Sequence, residues 1–491
     1  MTQEQMRRVL EIGVQLSSER DLNTLLEEVL SCVMELTRCD AGTLYLRDED
    51  TLRFKISRNN TLKNYSNGAG MSPVPLRREN VCALALLERR TIQIDDVYHC
   101  ADHDFSGPRR YDAQTGYHTQ SMLVVPMRSR EGADIGVLQL INAMDENGNV
   151  CSFAPDMALV LESVASQAAI TIQNVRYLND IKELFQSFVR VMSTAIDERS
   201  RYNANHSRRM AQCGERFIGW LNARAAGRGE MSPFSPRQQE ELLMSIWLHD
   251  IGKVTTPLEV MDKARRLSPL QETKLKSRLA EIWLTKRIDC LEGRTDGDEL
   301  ESFRQSIREA EAQIDSINGA EFVTDGQLAW LDELKQRTYI DQDGRERCWF
   351  TDEEYEMLSI RKGTLSRQEQ EKMRKHVVMT DKMLSQIKFS PELAHVPEWA
   401  AAHHEKLNGK GYPKGLKGED IPFEVRIITI LDIFDALVAS DRPYKKAKTV
   451  DQAIKILGFG VKDGELDAEL TEQFIESRCW EGLYDKTEGE I

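Results

Sequence analysis

The stretch Leu242-Leu243-Met244-Ser245-Ile246-Trp247-Leu248-His249-Asp250-Ile251-Gly252-Lys253 puts a His-Asp pair at the end of an apolar helical run. Far downstream, His403-His404-Glu405 and Gly409-Lys410-Gly411-Tyr412-Pro413 add two adjacent imidazoles and a glycine-rich turn. Imidazole and carboxylate side chains together suit first-row divalent metals. Each piece has a plainer reading by itself. His403-His404 could be a cationic pair favoured at a helix C-terminus, and Gly409, Gly411 and Pro413 could be turn punctuation. His376, on the amphipathic stretch from Gln368 to Ile387, could be a surface or core residue. All of these coincidences would have to hold at once, so the metal reading prevails. His99, His103, His118 and His395 have no such support.

Working outward, further blocks follow in order. Ile196-Asp197-Glu198-Arg199 leads to His206-Ser207-Arg208-Arg209-Met210, and Ile360-Arg361-Lys362-Gly363-Thr364-Leu365-Ser366 leads to His376. Asp432-Ile433-Phe434-Asp435-Ala436-Leu437 and Asp441-Arg442-Pro443-Tyr444-Lys445 close the series. In this order the blocks resemble the HD-GYP family of HD-domain metal-dependent phosphohydrolases, whose characteristic substrate is cyclic di-GMP. The resemblance implies a cyclic di-GMP phosphodiesterase with metal ligands His206, His249, Asp250, His376, His403, His404 and Asp432. Asp250 and Lys253 are the implied catalytic residues, and Lys253, Gly411, Tyr412, Arg442, Tyr444 and Lys445 the implied substrate contacts.

Seven donor side chains suit two metals, with Asp250 the natural bridging carboxylate. His206, His249, Asp250 and Asp432 would hold the first, and Asp250, His376, His403 and His404 the second. Two ions about 3.5–4 Å apart can activate water, polarise a phosphoryl oxygen and stabilise the leaving alkoxide. Lys253 could neutralise a phosphate oxygen. A nitrogen-rich, sulfur-free ligand set favours iron or manganese over magnesium, with zinc open in vitro. The expected reaction is hydrolysis of cyclic di-GMP to linear pGpG, with conversion on to GMP left open. The alternatives are a catalytically weak module that signals by protein contact, and a phosphodiesterase for another cyclic dinucleotide.

The chain departs from the family in two places. Members with a third metal carry Glu four residues before the first His, where this chain has Tyr202; a binuclear site is therefore expected. Asp250 and His376 are also 126 positions apart (376 − 250), far more than the family needs. The extra length is assigned to an insertion over about 262–357. Its Leu267, Leu270, Leu275, Leu279, Ile282 and Ile288 recur at spacings of three to six, consistent with an amphipathic helix. A break at Gly293-Arg294-Thr295-Asp296-Gly297 suggests a helical hairpin returning through Leu300 to Ile317. Asp341-Gln342-Asp343-Gly344-Arg345 suggests a β-turn between short strands. A solvated arm and a lid or dimer contact both remain open for this insertion.

The first third differs in character. Leu22 to Leu30 suggests an amphipathic helix. Ala41 to Leu46, Leu52 to Ile56, Ser121 to Met127 and Ile135 to Asn142 suggest strand pairs. This pattern resembles a GAF domain over 21–175, with an N-terminal helix over 1–20 before it. The resemblance implies a small-molecule ligand of unknown identity. Asn142, Phe153 and Asp156 fit the cyclic-nucleotide subset of GAF domains, but Ala143 and Met157 replace its Lys and Glu. Cys82, Cys100 and Cys151 could touch a chromophore, although buried cysteine is more often a small hydrophobe. From Met157 to Arg199 apolar residues keep helical spacing without Gly or Pro, suggesting a connecting signalling helix over 157–199, paired as a coiled coil in a homodimer.

The expected architecture is multidomain. An α+β GAF domain, an antiparallel sheet with flanking helices, joins through a long helix to an all-α HD-GYP domain over 185–491 with a mostly helical insertion. The 491 residues include nine cysteines without paired spacing, and the net charge is −15. These properties point to reduced thiols and a cytoplasmic protein with no duplex nucleic acid partner. No run reaches the length of a membrane helix, and the N-terminus lacks the apolar core of a secretory signal.

Overall fold

A computed structural model describes residues 21–67, 71–129, 131–200, 205–341, 343–439 and 447–484. The expected N-terminal helix over 1–20 lies outside the described residues, as do Tyr202, Arg442, Tyr444 and Lys445. The chain divides into two compact units, Met1–Phe185 and Gln186–Ile491.

In the first unit, α1 (Leu22–Thr37) is capped by the Asp21 side chain, which accepts from the Thr24 amide. β1 (Cys39–Asp48), β2 (Thr51–Asn59), β3 (Asn64–Ser66) and β4 (Val74–Pro75) follow, then α2 (Val81–Glu88), β5 (Ile92–Ile94) and α3 (Ser106–Thr115). β6 (Met122–Arg128), β7 (Asp134–Met144) and β8 (Val150–Cys151) complete an antiparallel sheet. Its order is β3-β2-β1-β7-β6-β5, with β4 on β2 and β8 on β7. Alternating side chains send Leu44, Leu46, Leu123, Val125, Leu138 and Leu140 to one face, against α1 and the start of a long helix. Tyr45, Met122, Val124 and Val137 line the other face, against α2.

The suggested cyclic-nucleotide positions have structural employment here. Asn142 is buried with φ 59°, accepts from the Gln120 amide and donates to the Tyr117 hydroxyl and the His118 carbonyl. Phe153 is buried in the core below the sheet. Cys82 is buried, and Cys100 and Cys151 pack against the two cores.

The long helix α4 (Met157–Asp197) is 41 residues of unbroken helix. Leu161, Val164, Ala168 and Ile172 are buried in the first unit's core. Further along, Tyr177, Ile181, Leu184, Phe188 and Val191 are each more than half exposed, at steps of four, three, four and three.

The second unit is helical. It comprises α5 (His206–Gly227), α6 (Pro236–Leu248), a 3₁₀ turn at Ile251–Thr255, α7 (Leu258–Met261), α8 (Pro269–Leu291), α9 (Gly297–Gly319), α10 (Asp325–Lys335) and a hairpin of β9 (Thr338–Ile340) and β10 (Glu346–Cys348). Then come α11 (Asp352–Leu358), α12 (Arg367–Leu384), α13 (Val396–Ala401), α14 (Phe423–Val438), α15 (Val450–Lys462) and α16 (Ala468–Ser477). Capping boxes at Ser235, Ser268, Thr324, Thr351, Ser366 and Thr449 fix six of these helix starts. The region from α8 to α11 has its own core, including Leu275, Leu279, Ile314, Ile317, Leu331 and Trp349, so it is a packed subdomain and not a solvated arm. Arg266 is fully buried at its root and donates to the carbonyls of Ile317, Ala320 and Ile360. Among the described residues no helix is long and apolar enough to cross a membrane.

Candidate metal centre

Five elements converge on one buried cluster. His206 opens α5, His249 and Asp250 follow α6, His376 sits on α12, His403 and His404 follow α13, and Asp432 lies on α14. Gly252 lets the turn after Asp250 seat against α12: a Cβ there would meet the His376 carbonyl oxygen at 2.0 Å. Thr380 ties the same contact, donating to the His249 carbonyl and accepting from the Gly252 amide. Thr429 on α14 likewise donates to the His403 carbonyl at 2.8 Å.

Ring tautomers follow from carbonyl partners, which can only accept. Nδ1 of His249 donates to the Ile246 carbonyl at 2.7 Å, that of His376 to Met373 at 2.6 Å and that of His403 to Ala400 at 2.7 Å. A neutral imidazole so engaged turns an Nε2 lone pair to the other side. Those of His376 and His403, with Oδ1 of Asp250, are buried and have no hydrogen-bond partner among the described residues. Burial and neighbouring imidazoles push His403 well below the usual range, and burial pushes His404 down to about 4. Burial likewise lowers His376. Neutral imidazole is the metal-binding form.

Asp250 faces both halves of the cluster. Its Oδ2 lies 3.2 Å from His249 Nε2 and 3.5 Å from His206 Nε2, while Oδ1 lies 3.5 Å from His376 Nε2 and 3.8 Å from His403 Nε2. Asp432 also spans them, 3.5 Å from His206 Nε2 and 3.7 Å from His404 Nδ1. The division expected from sequence gives Asp432 to the first half only. Two donors each about 2.1 Å from one ion stand at most about 4.2 Å apart, so all these separations suit shared cations. Three overlapping donor groups result: His206, His249 and Asp432; His249, Asp250 and His403; and His376, His403 and His404. The residues present fit the metal dependence expected of the site.

Burial would lower His206, but the carboxylates of Asp435, Asp250 and Asp432 outweigh it and hold the ring up at about 10. Nε2 of His206 lies 3.2 Å from the lone pair of His249 Nε2, so a cation belongs between them, whether a proton or a metal. Lys253 Nζ sits 2.5 Å from Asp250 Oδ2, forming an ion pair with it. Burial opposes ionisation of Asp250, yet Lys253 and His249 hold it well below the usual carboxylate range.

A cleft of about 400 Å³ opens beside the cluster, lined by His404, Asp432, Tyr412, Lys406, Lys448 and Leu437 among others. The Tyr412 ring lies 4.8 Å from that of His404, and the Arg374 guanidinium lies over its face. Gly411 is explained by packing, since a Cβ would strike the backbone of Glu405 and Lys406. Sequence reasoning missed Glu405, whose buried carboxylate accepts from the amides of Lys414, Gly415 and Leu416 and shapes this loop. It also missed Asp435, which accepts from His206 Nδ1 at 2.6 Å. The available signal was position: Asp435 lies one helical turn beyond Asp432.

Comparison with known proteins gives two family matches, a GAF domain over residues 21–172 and an HD domain over 353–470. The HD match begins after the His249-Asp250 pair. The chain is 42% identical over 95 residues to the 3′3′-cGAMP-specific phosphodiesterase 3 of Vibrio cholerae, covering 19% of this chain and 20% of that one. It is 41% identical over 100 residues to the cyclic di-GMP phosphodiesterase response regulator RpfG of Xanthomonas campestris pv. campestris, covering 20% and 25%. It is 39% identical over 98 residues to the cyclic di-GMP phosphodiesterase of Thermotoga maritima, covering 20% and 26%. The matched stretch thus spans about a quarter or less of each of these relatives. The chain carries a GAF domain followed by an HD domain of the HD-GYP type.

Proposed function

We propose that this protein is a metal-dependent cyclic dinucleotide phosphodiesterase that opens cyclic di-GMP to linear pGpG under control of its GAF domain. The observation that carries this reading is the pair of Asp250 oxygens, each facing a separate pair of histidine nitrogens in a buried cluster. His206, His249, Asp250 and Asp432 would hold one ion, and Asp250, His376, His403 and His404 the other, with iron or manganese favoured by the donors. Such a pair supplies a water nucleophile at neutral pH and neutralises phosphoryl charge. Hydrolysis adds water across one P–O3′ bond and leaves a linear dinucleotide.

The chain's own groups bind and orient. Tyr412 offers a ring beside His404 on which a base can stack, and Lys406 and Lys448 bring positive charge to the cleft. Lys253, held at Asp250, sits where it can offset charge on a phosphate oxygen. The cleft volume falls within the range of small-molecule sites. Arg442, Tyr444 and Lys445 remain proposed substrate contacts on sequence grounds.

The proposed assembly is a homodimer in the cytoplasm, with an unidentified small molecule on the GAF domain. The exposed stripe from Tyr177 to Val191 has the four-three spacing of a coiled-coil seam. A second substrate, 3′3′-cGAMP, is favoured by the 42% identity to an enzyme named for it. Purified protein loaded with Mn²⁺ should be given each cyclic dinucleotide separately and its products resolved by chromatography. Faster turnover of cyclic di-GMP supports the first substrate, faster turnover of cGAMP the second. Turnover of neither, with metal bound, leaves the signalling module as the surviving alternative.

A further inference from the structure

The C-terminal segment 479–484 lies beyond the end of the HD match at residue 470, yet it reaches the metal centre through one carboxylate. Asp435 is almost fully buried. Its Oδ2 accepts from His206 Nδ1 at 2.6 Å, and its Oδ1 accepts from Arg209 Nε at 2.9 Å and from the Tyr484 hydroxyl at 2.8 Å. The Arg209 guanidinium also lies over the Tyr484 ring.

Helix α5 explains how the segment is held. His206, Arg209, Cys213 and Arg216 follow at steps of three, four and three, which places them along one helix face. Cys213 Sγ meets Cys479 Sγ at 3.2 Å, and Arg216 donates to the carbonyls of Cys479 and Glu481. Trp480 packs its ring 4.9 Å from Phe434 and 5.0 Å from Phe474. The face that begins with a metal-ligand candidate thus ends as the seat of the C-terminal segment.

A ligating histidine is oriented by whatever its other ring nitrogen bonds, and removing such a partner commonly weakens metal binding 10- to 100-fold. At His249, His376 and His403 that partner is a backbone carbonyl, but at His206 it is a side chain held by Tyr484 and Arg209. We propose that Asp435 and Tyr484 are positioning residues for the His206 half of the metal centre, so that the C-terminal segment completes the site as a clasp. The inference rests on the metal-centre reading above but not on the identity of the nucleotide.

The test uses the full chain and Mn²⁺ alone, with stoichiometry and affinity from equilibrium dialysis and unfolding midpoints measured in EDTA. Tyr484→Phe keeps the ring and its packing and removes only the hydroxyl. Asp435→Asn keeps the shape and removes the charge. Affinity for one of the two ions should fall about tenfold or more in Asp435→Asn and about threefold in Tyr484→Phe. The second ion should bind as in the wild type, and the Tyr484→Phe midpoint should not move. Wild-type Mn²⁺ affinity in Tyr484→Phe overturns the clasp, as does a lowered midpoint with unchanged affinity. Failure of the unaltered protein to bind Mn²⁺ overturns the metal centre itself. Normal Mn²⁺ binding without turnover of any cyclic dinucleotide overturns only the proposed function.

Discussion

At the scale of single residues, the centre depends on how one carboxylate is shared. Asp250 is buried, and each of its oxygens faces two imidazole nitrogens, so its loss takes negative charge from both halves at once. Asp250→Ala should abolish turnover and lower the bound metal measured by elemental analysis, while Lys253 loses its partner. Near-normal hydrolysis of cyclic di-GMP by this variant would show that the site is misassigned. Tyr202, in the place where a third-metal glutamate would stand, sets a second expectation. Bound metal should level off near two ions per chain, and pGpG should accumulate before any GMP. Three tightly held ions would contradict that reading.

At the scale of elements, the cluster exists because helices approach closely at chosen points. The turn after Asp250 meets α12 without space for a methyl group, so Gly252→Ala would force a Cβ to within 2.0 Å of a backbone oxygen. Because the clash is with backbone, α12 must shift and carry His376 away from Asp250. The expected result is loss of activity and a lowered unfolding midpoint, read by differential scanning calorimetry; an active variant of normal stability would argue against the close approach. Helix α4 makes a different prediction, because its exposed stripe has a phase. One residue inserted near Asn179 turns everything downstream by about 100°, whereas seven residues add about two turns and nearly restore register. The single insertion should change basal activity or its response to the GAF ligand, and the seven-residue insertion should preserve both. Equal behaviour in specific activity and dimerisation would remove the signalling role and leave the catalytic proposal intact.

At the scale of the whole molecule, the two compact units differ in their secondary structure. The first is an antiparallel sheet with helices on both faces, and the second places all its metal-ligand candidates on helices or just beyond their ends. Between His249 and His376 the chain builds a subdomain with its own core, and this interruption leaves both ligand candidates beside Asp250. The distance in sequence therefore has no counterpart in the site. A long insertion is tolerated when its two ends leave and rejoin the fold close together, as the bonds from Arg266 to the Ile360 carbonyl and from Thr364 to the Lys263 carbonyl show.

Much of the fold and of the site is legible in the amino-acid sequence, for a physical reason. The expected architecture, an α+β GAF domain followed by a helical HD region, is the one observed, because period-two and helical apolar patterns and local capping signals are written in short windows. The donor residues are recognisable by type and order, and the β-turn at Asp341 by its Gly344. What sequence could not supply were partners far apart along the chain. His206 and Asp435 are separated by 229 positions, and nothing local to either announces that their side chains meet. The same holds for Tyr484, and for Asp432 facing both halves of the cluster. The insertion reads equally as a solvated arm, since amphipathic helices show which face is apolar but not whether another helix covers it; the packed core from Leu275 to Trp349 decides that. Sequence by itself determined which residues could bind metal and which elements would carry them. At His249, His376 and His403 the nitrogen that faces the cluster is set locally, because the ring's other nitrogen bonds the carbonyl three residues earlier. Only tertiary packing decided it at His206, where the Asp435 carboxylate is brought to the ring's other side from 229 positions away.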